Sequence, residues 1–292
     1  MEQNIFDNES MLEEIEEAYS RLSFSDDFIF GKVMQDKKLS ISLLSLLTGN
    51  EINDVENIEV QKQVRITYDV KGTRYDVYVE DDDRRMYDSE MQQKESRKGW
   101  LPRRSRFYQG MMDLNVLEKG EDYEKLRDSY VIFICRFDPF KSNRCMYSFE
   151  NICREDPKLF LNDGRNIFFF NTKGDRSGVS QELADFLDYI EVGKPKSKFT
   201  YQIDKAVKVA KMNHEWKVEY MKELLRYKDV RDDGFEDGME KGIKKGEIIG
   251  RIKSLYALVT DNTITLEKAA EKAGLSVEDF KQKVNEIIHI GK

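Results

Sequence analysis

The stretch that most constrains the fold of this 292-residue chain is residues 74–92, which read RYDVYVEDDDRRMYDSEMQ. Two runs with alternating apolar side chains flank an acidic segment, which is the pattern of two antiparallel strands joined by a turn. A hairpin centred on Asp83 sets Asp76 opposite Glu90 on one face of the sheet. The sequence therefore predicts a hairpin that presents two carboxylates side by side.

Two opposed acids on neighbouring strands need a positive charge close to them. Directly opposed residues have Cβ atoms about 5 Å apart, and like charges repel each other at that distance. Hard cations such as Mg²⁺ accept one or two carboxylates and leave other positions to water and substrate phosphate. Asp76 and Glu90 are therefore a candidate nuclease metal site. On the pattern alone, an acidic hairpin edge that points into water is an equally good interpretation.

A basic strip follows the hairpin directly and carries six basic residues against one acid: Lys94, Arg97, Lys98, Arg103, Arg104 and Arg106. The formal net charge of the chain is -8, which argues against a protein that coats nucleic acid, because DNA affinity comes largely from phosphate neutralisation. A local strip beside a metal site does suit a phosphodiester, although an ordinary charged loop has the same composition. Arg104 and Tyr108 are four residues apart on a predicted helix and share one side, where they can contact phosphate or brace Glu90.

These residues resemble the PD-(D/E)XK nuclease superfamily, and within it the recombination-promoting nuclease and transposase branch. The resemblance rests on DV at residues 76–77, SEMQ at residues 89–92, RRSRFYQ at residues 103–109 and a glycine-punctuated tail, so it covers most of the chain. The motif of that branch is D…E-x-Q. Tyr75 stands where the superfamily name has Pro, and Gln92 lacks the positive charge of the usual Lys.

The resemblance implies an α/β protein with a restriction-endonuclease-like core, a mixed central sheet flanked by helices, and a helical C-terminal extension. It implies a Mg²⁺-dependent DNA endonuclease associated with recombination or transposition, with Mn²⁺ as a possible substitute. Asp76, Glu90 and Gln92 would be catalytic, and Asp76, Glu90, the Met91 backbone carbonyl and Asp27 would bind the metal. The expected DNA and phosphate contacts are Arg103, Arg104, Arg106, Tyr108, Lys94 and Lys98. Two alternatives stay open: a catalytically weakened DNA-binding or assembly protein of the same fold, and a toxin or defence effector.

Composition argues against several other classes of protein. The mean hydropathy is -0.68, and no apolar run is long enough to span a bilayer. The acidic start of the chain does not resemble a signal peptide, so a cytoplasmic protein without a membrane partner is expected. Three cysteines without CxxC spacing predict reduced thiols and no zinc site. His214 and His289, the two histidines, lie far from the hairpin in sequence, so catalysis by histidine is not expected.

Apolar periodicity divides the chain into a nuclease-like domain at residues 1–200, a helical extension at 201–233, a glycine-rich charged segment at 234–253 and a small helical tail at 254–292. The tail resembles a helix-turn-helix, but its charges are poorly balanced for reading a major groove.

Glycine recurs every fourth residue in the charged segment, and each interior glycine costs a helix about 1 kcal/mol relative to alanine. A flexible linker and a partner-dependent helix both remain open, and a homo-oligomer through the C-terminal helical region is expected.

Overall fold

The computed structural model describes residues 13–64, 72–95, 99–117 and 120–289. Contacts between residues divide the chain into two compact units, Met1–Tyr220 and Met221–Lys292.

The helices of the first unit are α1 (residues 13–21), α2 (Asp27–Val33), α3 (Lys37–Thr48), α4 (Leu101–Val116), α5 (Gln181–Val192) and α6 (Lys198–Met212). Its strands are β1 (Val55–Val64), β2 (Thr73–Asp81), β3 (Met86–Gln92), β4 (Ser129–Cys135), β5 (Met146–Phe149) and β6 (Arg165–Asn171). Helix α7 (His214–Thr260) begins in the first unit and continues into the second, which also contains α8 (Leu266–Ala273) and α9 (Val277–His289).

The six strands form one mixed sheet in the order β1-β2-β3-β4-β6-β5. Strands β1, β2 and β3 are antiparallel neighbours, β3, β4 and β6 run parallel, and β5 is antiparallel to β6. Helices cover the sheet, and the prediction of a mixed sheet flanked by helices is therefore confirmed.

Strand β4 lies at the centre of the sheet and separates two hydrophobic cores. Its sequence SYVIFIC is buried at every position, as its continuous apolar run predicts. Ile132 and Ile134 belong to the core that includes side chains of α2, α3, α5 and α6. Val131 and Phe133 belong to the opposite core, which includes side chains of α4. The sheet is therefore covered on both faces at its centre.

The apolar spacing of Phe107, Met111, Leu114 and Leu117 predicts that these residues share one side of α4, but that side is not the buried one. Met111 is buried, whereas Phe107 is 37% exposed and Leu114 is 59% exposed. The buried side instead carries Tyr108 and its neighbours one turn away. Helix α4 is thus rotated relative to the sheet, with Tyr108 turned inward.

The β2–β3 hairpin has the predicted register. Tyr78 pairs with Asp88 and Val77 pairs with Ser89, as a hairpin centred on Asp83 requires. Val77, on the other face of the strand, packs in the core that includes α2 and α3. The backbone pairing of β2 with β3 ends at Val77, and the side chains of Tyr75, Tyr78 and Met86 all belong to the core on the side of α4.

A buried carboxylate organises the turn of this hairpin. Asp81 is fully buried, and its Oδ1 accepts the backbone N–H groups of Asp83 at 3.1 Å and Arg85 at 2.8 Å. Its Oδ2 accepts the Arg85 Nε–H at 2.6 Å and the Tyr87 hydroxyl at 2.9 Å. One side chain at the end of β2 thus satisfies four donors from the turn and from β3, which holds the two strands in one register.

In the second unit, Ile252 and Leu255 of α7 pack with side chains of α8 and α9 in a small core of their own. Phe280 of α9 is fully buried there. Residues 234–253, for which a linker and a helix were both open, lie within α7. In the described part of the chain, no helix combines the length and apolarity needed to cross a membrane.

Replacement of Asp81 should destabilise the protein strongly. We expect Asp81→Ala to lower the free energy of unfolding by about 3 kcal/mol, because it leaves an arginine and two backbone N–H groups without their acceptor. The matched control is Asp83→Ala, since Asp83 is exposed in the same turn and an exposed ion pair contributes less than about 1 kcal/mol. Urea unfolding of both variants measures the free energy of unfolding. An equal loss in Asp81→Ala and Asp83→Ala would contradict the prediction.

Candidate active site

Asp76 of β2 and Glu90 of β3 interlock across the two strands. The Asp76 N–H donates to Glu90 Oε1 at 3.0 Å, and the Met91 N–H donates to Asp76 Oδ2 at 3.2 Å. Glu90 is fully buried and Asp76 is 9% exposed. The two acids are therefore close neighbours, and their carboxylates are not on a solvated edge.

Arg104 of α4 is the counter-charge of this pair. Its Nη2 forms an ion pair with Glu90 Oε2, and its Nε–H donates to the Tyr108 hydroxyl at 2.6 Å. Its guanidinium lies over the Phe133 ring at 5.6 Å. Gln92 is within hydrogen-bonding reach of both charged groups, because its Nε2 lies 3.4 Å from Glu90 Oε2 and its Oε1 lies 3.4 Å from Arg104 Nη1. Helix α4 thus brings a cation onto the acidic face of the hairpin.

Burial changes the proton affinity of both acids. It raises the pKa of Asp76 to about 6, and the nearby charge of Asp27 adds to this effect. It raises the pKa of Glu90 to about 8, where repulsion from Asp76 adds and the Arg104 charge opposes. Perturbed carboxyls of this kind are typical of functional sites.

A third acid, Asp88, lies two residues before Glu90 on the same face. It is fully buried, and neither of its carboxylate oxygens has a hydrogen-bond partner of acceptable geometry within the described residues. Burial raises the pKa of Asp88 well above its usual value, and repulsion from Glu90 and Asp76 adds to this. An unpaired buried charge is very costly, so the surroundings of Asp88 favour its neutral form.

An arginine-rich pocket of about 540 Å³ opens beside Asp76. Its basic lining residues are Arg74, Arg103, Arg104 and Arg106. Two aromatic residues, Trp100 and Phe107, also line it, and they are 49% and 37% exposed. The pocket can therefore present both positive charge and aromatic rings next to the acidic pair.

The structure brings most of the predicted site residues together. Asp76, Glu90, Gln92, Arg104 and Tyr108 form the contacts described above. The exposed Arg103 and Arg106 line the pocket.

The other predicted residues differ in their relation to the site. Asp27 is exposed at the start of α2, near enough to raise the pKa of Asp76. The Met91 backbone lies between the two acids, with its N–H on Asp76. Lys94 is exposed beyond the end of β3, and Lys98 lies outside the described residues.

Sequence reasoning missed Asp88, Trp100 and Phe107 as neighbours of the site. The predicted register could have identified Asp88 as a neighbour of the site, since Asp88 shares the face of Glu90. Trp100 directly precedes α4, so its proximity to the basic helix start could have been inferred. Phe107 fits the apolar periodicity of α4, and only the structure shows that its side chain is exposed and lines the pocket.

The donor set at the hairpin fits one hard divalent cation. Across the described ranges, no group of three or more His, Cys, Asp or Glu residues is arranged to hold a metal. A pair of carboxylates is what Mg²⁺ commonly takes from a protein, with water and substrate phosphate as its other ligands. Cys135 and Cys145 are buried and Cys153 is partly buried, all without disulfides, in agreement with the predicted reduced thiols.

Comparison with known proteins assigns the family. A family model described as PD-(D/E)XK nuclease family transposase matches residues 24–232. The chain belongs to this family. The match includes β1 to β6, the acidic pair and the start of α7, and it confirms the resemblance drawn from the hairpin motif. No curated protein and no solved structure matches the chain.

The stability of the metal-free protein should fall as pH rises. Folding raises the pKa of Glu90 from 4.5 to about 8, so the folded chain binds this proton more tightly than the unfolded chain does. The resulting stabilisation is complete at low pH and is lost as pH rises through the folded pKa. We expect the stability of Glu90→Gln relative to the parent to increase between about pH 5 and about pH 8.

Urea unfolding in EDTA across that pH range measures the difference. Asp82→Asn is the control, because Asp82 is an exposed carboxyl of the same hairpin. Parallel curves for the parent and Glu90→Gln would contradict the assignment.

Proposed function

We propose that this member of the PD-(D/E)XK nuclease family transposases is a Mg²⁺-dependent DNA endonuclease that acts in recombination or transposition. The observation that carries the proposal is the pair of buried, interlocked carboxylates of Asp76 and Glu90 with Arg104 against them. An arginine-rich pocket beside the pair supports a phosphodiester substrate.

Asp76 and Glu90 would hold the cation, with the Met91 carbonyl and Asp27 as further candidates. When bound, Mg²⁺ or Mn²⁺ supplies charge stabilisation and lowers the pKa of a bound water. Arg104 balances the charge of Glu90 while the site is assembled, and its guanidinium can also stabilise charge on a phosphate. Gln92 has no charge, so its amide would orient a water or a phosphate oxygen by hydrogen bonding.

DNA phosphates would be bound by the exposed Arg103 and Arg106 at the start of α4, together with Lys94 and Lys98. Tyr108 would act through Arg104, because its hydroxyl accepts the Arg104 Nε–H and fixes the direction of the guanidinium. Arg103 and Arg106 line the pocket beside Asp76, although the chain as a whole is acidic. Local charge of this kind favours binding of a polyanion at one place.

Trp100 and Phe107 indicate which part of the DNA enters the pocket. Exposed aromatic rings beside arginines are the usual platform for unpaired bases, and each stacked base contributes about 1–3 kcal/mol. A paired base offers little of its flat surface outside the stack. We therefore propose that an unpaired nucleotide occupies the pocket next to the acidic pair.

A non-catalytic DNA-binding or assembly protein of the same fold is the second candidate. It is favoured by Gln92, which replaces the cation of the motif, and by Arg104, which already engages Glu90. Under either candidate we propose that the chain self-associates through its C-terminal helical region.

Removal of either acid should abolish DNA cleavage. We expect Asp76→Ala and Glu90→Ala to lower plasmid nicking in Mg²⁺ by at least about a hundredfold, because each removes a metal ligand. Asp82→Ala, at an exposed position of the same hairpin, should nick like the parent. Circular dichroism of each variant establishes that it is folded. Nicking that is equal in all proteins, or absent from the parent, would refute the endonuclease.

The single-strand preference can be measured without cleavage. The chain has two tryptophans, so Trp216→Phe leaves Trp100 as the only reporter. In EDTA, we expect a single-stranded DNA oligonucleotide to quench its fluorescence more than the matching duplex does. Trp100→Ala should weaken single-strand binding by about tenfold. Trp100→Phe, with Trp216 as the reporter, is the control and should show no quenching.

The same quenching measurement with an RNA strand of the same sequence tests whether single-strand binding depends on the sugar. Equal quenching by duplex and single strand, or none by either, would remove the proposed role of Trp100. It would leave the endonuclease proposal to be decided by the nicking assay.

A further inference from the structure

Helix α7 carries large apolar side chains that are exposed in the second unit. Phe235 is 70% exposed, and Met239 and Ile243 are each 55% exposed. A soluble helix normally buries such a stripe against a partner. Within the described residues these side chains belong to none of the hydrophobic cores.

The same part of the helix contains five glycines, Gly234, Gly238, Gly242, Gly246 and Gly250. Each lowers helix stability by about 1 kcal/mol relative to alanine, and around each the space that a Cβ would occupy is open. An isolated helix of this composition would be marginal. Among the described residues, no hydrophobic core includes residues 234–250, so the segment needs stabilising contacts from a partner.

Phe235, Met239, Gly242 and Gly246 share one side of the helix. Their spacings of four, three and four residues are those of the seam along which two helices pack. Two large residues are followed by two glycines, so the seam has a filled half and an empty half. Such a surface cannot pack against a copy of itself unless the copy is reversed.

In an antiparallel pair, the filled half of each helix meets the empty half of the other. Phe235 then lies opposite Gly246 of the second copy, and Met239 lies opposite Gly242. Every large side chain in these layers faces a glycine, and the two-fold relation repeats each contact. In a parallel pair, Phe235 and Met239 would each face the same residue of the second copy, and so would the two glycines. Two layers would then be crowded and two would be empty.

The charges along α7 favour the same orientation. Residues 229–240 contain six acids and one base, whereas residues 241–253 contain five bases and one acid. Antiparallel pairing sets the acidic block of one copy beside the basic block of the other, and parallel pairing sets like blocks together. Within one helix, the Asp237–Lys241 and Glu240–Lys244 pairs cross the block boundary, but they are exposed and contribute little.

We propose that residues 229–253 of α7 pair antiparallel with the same segment of a second copy of the chain, with Phe235 and Met239 packed on Gly246 and Gly242. This inference rests on the proposed self-association and adds its orientation and register. It does not depend on cleavage activity, so its test has a separate readout.

The mass of the full chain in solution tests the pairing. We expect light scattering to give twice the 34.4 kDa of one chain. The variant that carries both Gly242→Gln and Gly246→Gln should be a monomer, because the new side chains fill the space that Phe235 and Met239 would enter. Glutamine forms helices better than glycine, so circular dichroism should show equal or greater helix content.

Two matched controls separate the seam from the rest of the helix. Gly250→Gln changes a glycine that lies opposite Arg231 in this register, and it should leave the mass doubled. Phe235→Gln should halve the mass, whereas Ile248→Gln should not, although Ile248 is also 54% exposed. Doubled mass in the variant with two glycine replacements, or monomers in both the Gly250→Gln and the Ile248→Gln controls, would overturn the register.

Distances between spin labels test the orientation. Cys135 and Cys145 are buried, so Cys153→Ser gives a background for labelling Glu240→Cys or Val230→Cys. Antiparallel pairing predicts a short distance at position 240 and a separation along the axis of about 30 Å at position 230. Short distances at both positions would show a parallel pair, and a parent that stays monomeric would refute the proposal. Plasmid nicking by the same proteins is scored separately.

Discussion

The register of one β-hairpin determines the rest of the site, and the buried carboxylate of Asp81 holds that register. It accepts four hydrogen bonds from the turn and from β3. A shift of one residue would move every side chain of β3 to the other face. Glu90 would then leave Arg104 and enter the apolar core on the opposite side, while Met91 would take its place. The position of Glu90 in the candidate site therefore depends on a turn that is not itself part of the site.

Three acids, Asp76, Asp88 and Glu90, lie close together beside α4, where the charge of Arg104 favours the ionised form of all three and the charge of Arg74 favours that of Asp76. A protein selected only for stability would place apolar residues there, because buried ion pairs rarely add net stability. The cost is reduced in two ways: Arg104 pairs with Glu90, and burial raises the pKa of Asp88, which favours its uncharged form. An arrangement that stores unfavourable charge beside an open pocket is the physical basis for assigning chemistry to this site, and it agrees with the family to which the chain belongs.

Local patterns predicted the elements well where one interaction dominates. The alternation in residues 74–92 predicted both strands and their register, because one face of each strand is apolar and the turn residues are polar. The continuous apolar run that became β4 predicted a strand buried on both faces. The buried side of α4 was harder to predict, since Phe107 and Tyr108 are both aromatic and either could face the sheet. Tyr108 faces inward because its hydroxyl bonds with Arg104 and its ring meets those of Tyr75 and Phe133.

The sequence by itself determined the register of the β2–β3 hairpin, because strand alternation and hairpin symmetry are local properties. It also determined that a basic strip follows, that glycine recurs every fourth residue along the C-terminal segment, and that an acidic block precedes a basic one there. Only the tertiary structure decided that Arg104 meets Glu90, that Asp27 approaches Asp76 and that Trp100 and Phe107 line the neighbouring pocket. These contacts join segments whose mutual placement is set by how α2 and α4 pack on the sheet, and packing of distant segments is not written in any local pattern.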